Sequence, residues 1–148
     1  MEKFRFRLEK VKQFKEDASR DSKRELARQN ARLSTAEDIL SQLLEERHRQ
    51  KLGADGLLTG ADLGILNTYD HFLQNLLIKQ RQSVQEAEIA VEKAREHVLE
   101  KAREEKALSL LKEKRFEEYQ DEKKRQERKE SSSLAMKQYI LRELSKKE

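Results

Sequence analysis

Apolar and polar positions along this chain repeat in alternating steps of three and four. In the N-terminal tract Phe4, Leu8, Val11, Lys15, Ala18, Ser22, Leu26, Gln29, Leu33, Ala36, Leu40, Leu43 and Arg47 follow that rhythm. The series predicts a helix with a narrow seam of coiled-coil type, unwound locally by a stutter at Ala18–Ser22–Leu26. Large apolar residues mark the ends of the seam. Its middle carries Lys15, Ala18, Ser22 and Gln29 and is expected to be the least stable part. The rhythm resumes at Leu66 and passes through Tyr69, Leu73, Leu76, Gln80, Val84, Ala87, Val91, Ala94, Val98 and Ala102. Stutters recur at Leu76–Gln80–Val84 and Ala94–Val98–Ala102.

Between the two tracts lie all 4 glycines of the chain, Gly53, Gly56, Gly60 and Gly64, and neither tract contains proline. Glycine lets a backbone leave the right-handed helix without steric cost, so the cluster reads as the tip of a helical hairpin. Gly53 is placed to close the first helix in a left-handed cap, and Asp55-Gly56 is a turn dipeptide. Leu57 and Leu58 stand on the tip. Thr59 fits an N-cap with Asp62 at the third helical position. The predicted fold is all-α: two long helices in an antiparallel coiled-coil hairpin, the second longer and overhanging. One coiled-coil domain spans 1–148, with arm one at 3–52, the tip at 53–61 and arm two at 62–146.

Pairing about a tip near Leu57 places Arg47 opposite Asn67 and leaves Lys112 to Glu148 overhanging, about 50 Å of helix. Lys112 to Glu130 is almost wholly charged, with Phe116 and Tyr119 as its large apolar residues. Ser131-Ser132-Ser133 offers a weak break or an N-cap. Beyond it Leu134, Met136, Tyr139, Ile140, Leu141 and Leu144 return at helical spacing with no partner in arm one, which suits helix-in-groove or helix-in-pore binding. Near the tip, Ile65 to Ile78 carries more apolar residues than one seam needs. The surplus, Phe72 with Leu76 or Tyr69, is expected to be exposed, either packing over Leu43 and Leu44 or forming a partner-binding face.

Composition narrows the reading. Charged residues are 42% of the 148 and hydrophobic residues 35%, too few for a broad core but enough for a two-helix seam. Disorder is the alternative for so polar a chain, and regular spacing with 33 basic against 29 acidic residues favours helix. The net charge of +4 admits an acidic partner without requiring nucleic acid. No apolar run approaches the roughly 18 residues of a membrane span, and the start MEKFRFRLEKVKQFK has no signal-peptide core. A cytoplasmic protein is expected.

Chemistry is sparse. The chain has no cysteine, and its histidines, His48, His71 and His97, are far apart in sequence. Two of them meeting across the tip would lack further zinc ligands. No glycine belongs to a phosphate-binding motif. A pair of helices offers no concave pocket in which a carboxylate or serine could be desolvated. No catalytic residue, cofactor or metal is expected, and the chain is read as a non-enzyme.

Three features together resemble the flagellar FliJ family. They are the opening FRFRLEKVKQFKE, the charge-rich helix leading to a glycine-containing tip, and the tyrosine-x-x-phenylalanine pattern in NTYDHFLQNL, Asn67 to Leu76. The resemblance implies a stalk of the type III export apparatus, similar in shape to the gamma subunit of rotary ATPases. It implies that the end with both termini enters the hexameric export ATPase ring of the FliI type and promotes its assembly and activity. Phe4, Phe6, Leu134, Tyr139, Leu141 and Leu144 are the expected ring contacts. It further implies contacts with the export gate of the FlhA type and with export chaperones, assigned near the tip to Leu43, Arg47, Tyr69, Phe72 and Leu76. Nucleic acid is not expected, and membrane association is indirect, through the gate.

Competing readings are the equivalent stalk of a virulence type III secretion system, an RNA-holding coiled-coil arm, and a plain tether. The interspersed acidic residues disfavour the RNA arm.

Overall fold

The computed structural model describes residues 2–53, Gly56 and 59–147. Among these residues there are two helices, α1 (Glu9–Gly53, 45 residues) and α2 (Gly60–Ser145, 86 residues), and no strand. They pack against each other as an all-α hairpin. Local sequence explains both ends of each helix. α1 begins on an acidic residue, Glu9, and has Lys51 in its last turn, each complementing the helix dipole. α2 opens with a reciprocal cap: the Asp62 amide donates to Thr59 Oγ1 at 3.2 Å, while the Thr59 amide donates to Asp62 Oδ2 at 3.1 Å. The Thr59 hydroxyl, and after it the Thr59 amide, donate to the Asp62 carboxyl and hold it below the usual carboxylate range.

Several boundaries depart from expectation. α1 starts at Glu9, not residue 3, because residues 2–8 are non-helical and alternate in burial. Gly53 is the last residue of α1 and its φ is not positive, so it does not itself form a left-handed cap. Ser131 to Ser133 lie within α2 and do not break it. Asp55, Leu57 and Leu58, on which the expected turn and tip leucines fall, lie outside the described residues.

The chain divides into two compact units: Asp17–Ala102, and Met1–Glu16 with Arg103–Glu148. The first holds every fully buried side chain among the described residues: Ser19, Ser22, Leu73, Leu77 and Val91. The middle of the first seam, expected to be weak, is thus its most deeply buried stretch, with Ser19 at 1% and Ser22 at 4% exposure. Side chains this small are fully covered only where helix backbones come close, so α1 and α2 approach tightly there. Ser22 Oγ donates to the Ser19 carbonyl at 2.7 Å, whereas Ser19 Oγ has no hydrogen-bond partner among the described residues. Register nearer the tip is fixed by polar side chains. Gln80 Nε2 donates to the Ala36 carbonyl at 2.9 Å and Gln50 Nε2 to the Leu66 carbonyl at 3.1 Å. Arg47 meets Asp70, not Asn67, nearly one turn from the simplest pairing.

In the second unit Lys15 pairs with Glu104 at 2.6 Å and Lys112 with Glu9 at 2.8 Å. Lys12 bonds Glu16 on its own helix, which raises the ammonium pKa. Coverage of α2 extends past Lys112, the expected limit, because residues 2–8 run back along it as far as Tyr119, whose hydroxyl donates to the Glu2 carbonyl at 2.8 Å.

Candidate functional site

Two stretches hold the expected contact residues, one in each unit. Near the tip, α2 presents Tyr69 and Phe72 stacked on one another, with ring centroids 6.3 Å apart and planes inclined by 25°. Both are exposed, Tyr69 at 39% and Phe72 at 55%. Leu73 and Leu77 occupy the core-facing stripe, which turns Phe72 outward, while Tyr69, one turn before Leu73, lies at the exposed edge of that stripe. With Ile65 and Thr68 they line a shallow hollow floored by Ala61 and Gly64. A Cβ at Gly64 would meet nothing within 4 Å. Leu76 and Leu43 are half-buried and do not line this hollow.

Arg47, the fifth residue expected here, is engaged within the chain. Its Nε donates to Asp70 Oδ1 at 2.9 Å, and both side chains are partly covered. The bond holds the Asp70 carboxyl below the usual carboxylate range, against the partial burial that pushes it up. Tyr69 reaches Glu46 across the helix pair at 3.4 Å. His48 and His71 are exposed, and no group of three or more metal-ligating side chains occurs among the described residues.

In the other unit, residues 2–8 form a strap along α2. Phe4 packs edge-on to Phe116, with centroids 5.3 Å apart, and against Tyr119 at 5.5 Å. Phe4, Phe6 and Leu8 are half-buried while Lys3, Arg5 and Arg7 are exposed. Phe4, expected as a ring contact, is occupied in holding the strap, and Phe6, expected likewise, is half-buried. Phe116 and Tyr119, the large apolar residues of the charged run, thus meet the strap. The period-two alternation of residues 3–8 was the signal that pairs them with the strap. Farther along α2, residues 120–147 are exposed apart from Glu143. Leu134, Tyr139, Leu141 and Leu144 lie there with Met136 and Ile140, all uncovered.

These features define an all-α helical hairpin whose distinctive chemistry is uncovered apolar side chains on helix surfaces. The family model described as flagellar FliJ protein matches residues 4–144, and the chain belongs to that family of type III export components. The solved structure of a putative YscO homolog from Chlamydia trachomatis is similar over 99% of each chain, with 22% identity and a TM-score of 0.76. No curated protein gives a match. No described helix is long and apolar enough to cross a membrane.

Proposed function

We propose that this chain is the central stalk of a flagellar type III export apparatus, working in the cytoplasm at the inner face of the membrane. The carrying observation is the uncovered apolar end of α2, Leu134 to Leu144, beyond a stretch, residues 120–133, of polar and charged side chains alone. An apolar helix end without cover in its own chain is suited to a pore or groove of a partner. In this reading Leu134, Tyr139, Leu141 and Leu144 enter the hexameric ATPase ring, and Phe4 supports that end from within by fixing the strap that also carries Phe6. Tyr69 and Phe72, with Leu76 and Leu43, meet the export gate or an export chaperone. Arg47 shapes that surface through Asp70. The chain performs no catalysis; it promotes ring assembly and turnover.

Phosphate release by the cognate export ATPase, with sizing of the ATPase, tests the reading. Stimulation with a shift toward hexamers is expected, and a chain lacking residues 131–148 should fold yet stimulate less. No effect at several-fold excess would refute the stalk. Alanine at Tyr69 and Phe72 should reduce export while helicity is retained. A second reading, the stalk of a virulence type III system, draws on the fold shared with the putative YscO homolog. Stimulation of that system's ATPase but not the flagellar one would favour it.

A further inference from the structure

The strap carries an unused chemical feature. Its side chains alternate: Phe4, Phe6 and Leu8 are turned toward cover, and Lys3, Arg5 and Arg7 stand in solvent. Among the neighbouring cations on the helices, Lys112 pairs with Glu9 at 2.8 Å and Arg115 with Glu118 at 2.9 Å. Lys3, Arg5 and Arg7 make no ion pair among the described residues. The backbone bearing them is held by Phe4 against Phe116 and Tyr119, and by the Tyr119 hydroxyl on the Glu2 carbonyl. Beside the row lies a hollow whose apolar wall is Leu8, Leu111 and Tyr119.

From this geometry we infer that Lys3, Arg5 and Arg7 form a docking surface for an extended acidic segment of a partner protein, with carboxylates at every second residue. Charge complementarity commits the surface to an acidic occupant. The spacing sets its form. Lys3 and Arg5 stand at alternate positions of the non-helical residues 2–6, where an extended chain repeats about every 6.7 Å, the repeat of alternate side chains on a second extended chain, and Arg7 follows in the turn closed by the Glu9 amide on the Phe6 carbonyl. A helix offers its carboxylates at three- and four-residue intervals instead. Because the strap is already anchored, little ordering is lost when the partner arrives. A lipid surface fits less well, since the rings that would enter it are turned toward α2. A nucleic acid fits less well, since the strap's own rings, Phe4 and Phe6, are half-buried and not free to stack a base. This inference concerns the strap alone and does not require the ring contact of Leu134 to Leu144.

Fluorescence anisotropy on the full chain, with a labelled peptide of alternating glutamate and valine, tests it. The peptide should bind and be released as salt rises from about 0.05 to 0.5 M. Combined Lys3→Ser, Arg5→Ser and Arg7→Ser should weaken binding about tenfold. Lys124→Ser, Arg128→Ser and Lys129→Ser, with the same charge loss, should leave it within about twofold. Phe4→Ala keeps every cation but frees the strap, and should weaken binding several-fold. Equal loss from both triple variants, or none from the strap variant, overturns the inference. So does equal binding of a peptide with its glutamates and valines in separate blocks. Strap-dependent binding to phosphatidylglycerol vesicles or to an RNA oligonucleotide, without peptide binding, overturns it in favour of lipid or nucleic acid. Circular dichroism confirms that each variant retains its helices.

Discussion

Phe4 meets Phe116 edge-on, their planes 67° apart, so an N-terminal residue outside any helix is locked to the middle of the longer one. Aromatic pairs in this geometry add to the free energy of burial. Phe4→Ala is expected to cost about 2 kcal/mol in the unit that holds the strap, allowing for its half-buried state. Limited trypsin digestion checks this: cleavage after Arg5 and Arg7 should accelerate while circular dichroism stays unchanged. Unaltered cleavage would show that Phe4 does not hold the strap.

Arg47 and Asp70 predict a pH dependence. The Asp70 carboxyl is held below its ordinary value by the Arg47 hydrogen bond. A carboxyl lowered on folding contributes stability that is present above the unfolded value near pH 4, and lost as pH falls through the folded value. The melting temperature of the unmodified chain should therefore fall more steeply below about pH 4 than that of Asp70→Asn. Equal slopes would dismiss the pair as a contributor.

Ser19 offers a test of the close helix approach. Its hydroxyl is buried without a partner among the described residues, and serine is a poorer helix former than alanine. Ser19→Ala should raise stability by roughly 0.5–1 kcal/mol in urea unfolding. Ser19→Leu should lower it by about 1–3 kcal/mol, since a covered site of serine size has no room for four carbons. Tolerance of leucine would mean that the helices stand farther apart.

Gly64 is dispensable to the fold of the chain on its own. Its φ is not positive and a Cβ there would meet nothing within 4 Å. Gly64→Ala should raise helix stability by up to about 1 kcal/mol, read as a higher melting temperature. A fall would reveal that the first turns of α2 rely on glycine for reasons outside helix propensity.

Most of the architecture was legible in the three-four rhythm, because a two-helix contact writes its whole core into one stripe. Positions from Ala18 to Arg47 on that stripe are all at least half-covered. Burial depth was not legible. Hydrophobicity ranks serine low, but depth depends on how near the backbones come, and small residues permit that nearness. The strap was missed for a related reason: Phe4 and Leu8 fit a helical step as well as an extended one, and only Phe6 and the cations between them separate the two. At the candidate sites, the outward turn of Phe72 followed from excess apolar residues on one helix. The engagement of Arg47 did not, because it depends on a register shift of nearly one turn.

The serine-lined approach has a mechanical consequence. Large interdigitating side chains act as teeth that resist sliding of one helix along another, and small ones do not. Around Ser19 and Ser22 the contact is smooth, so resistance to axial shear in that unit falls on the large buried side chains Leu73, Leu77 and Val91 and on directional bonds nearer the tip, from Gln80 to Ala36, Gln50 to Leu66 and Arg47 to Asp70. The helix pair is pinned at one end of its contact and lubricated at the other, so load carried along α2 would be absorbed as slip in the serine stretch before it reached the aromatic face beside the tip.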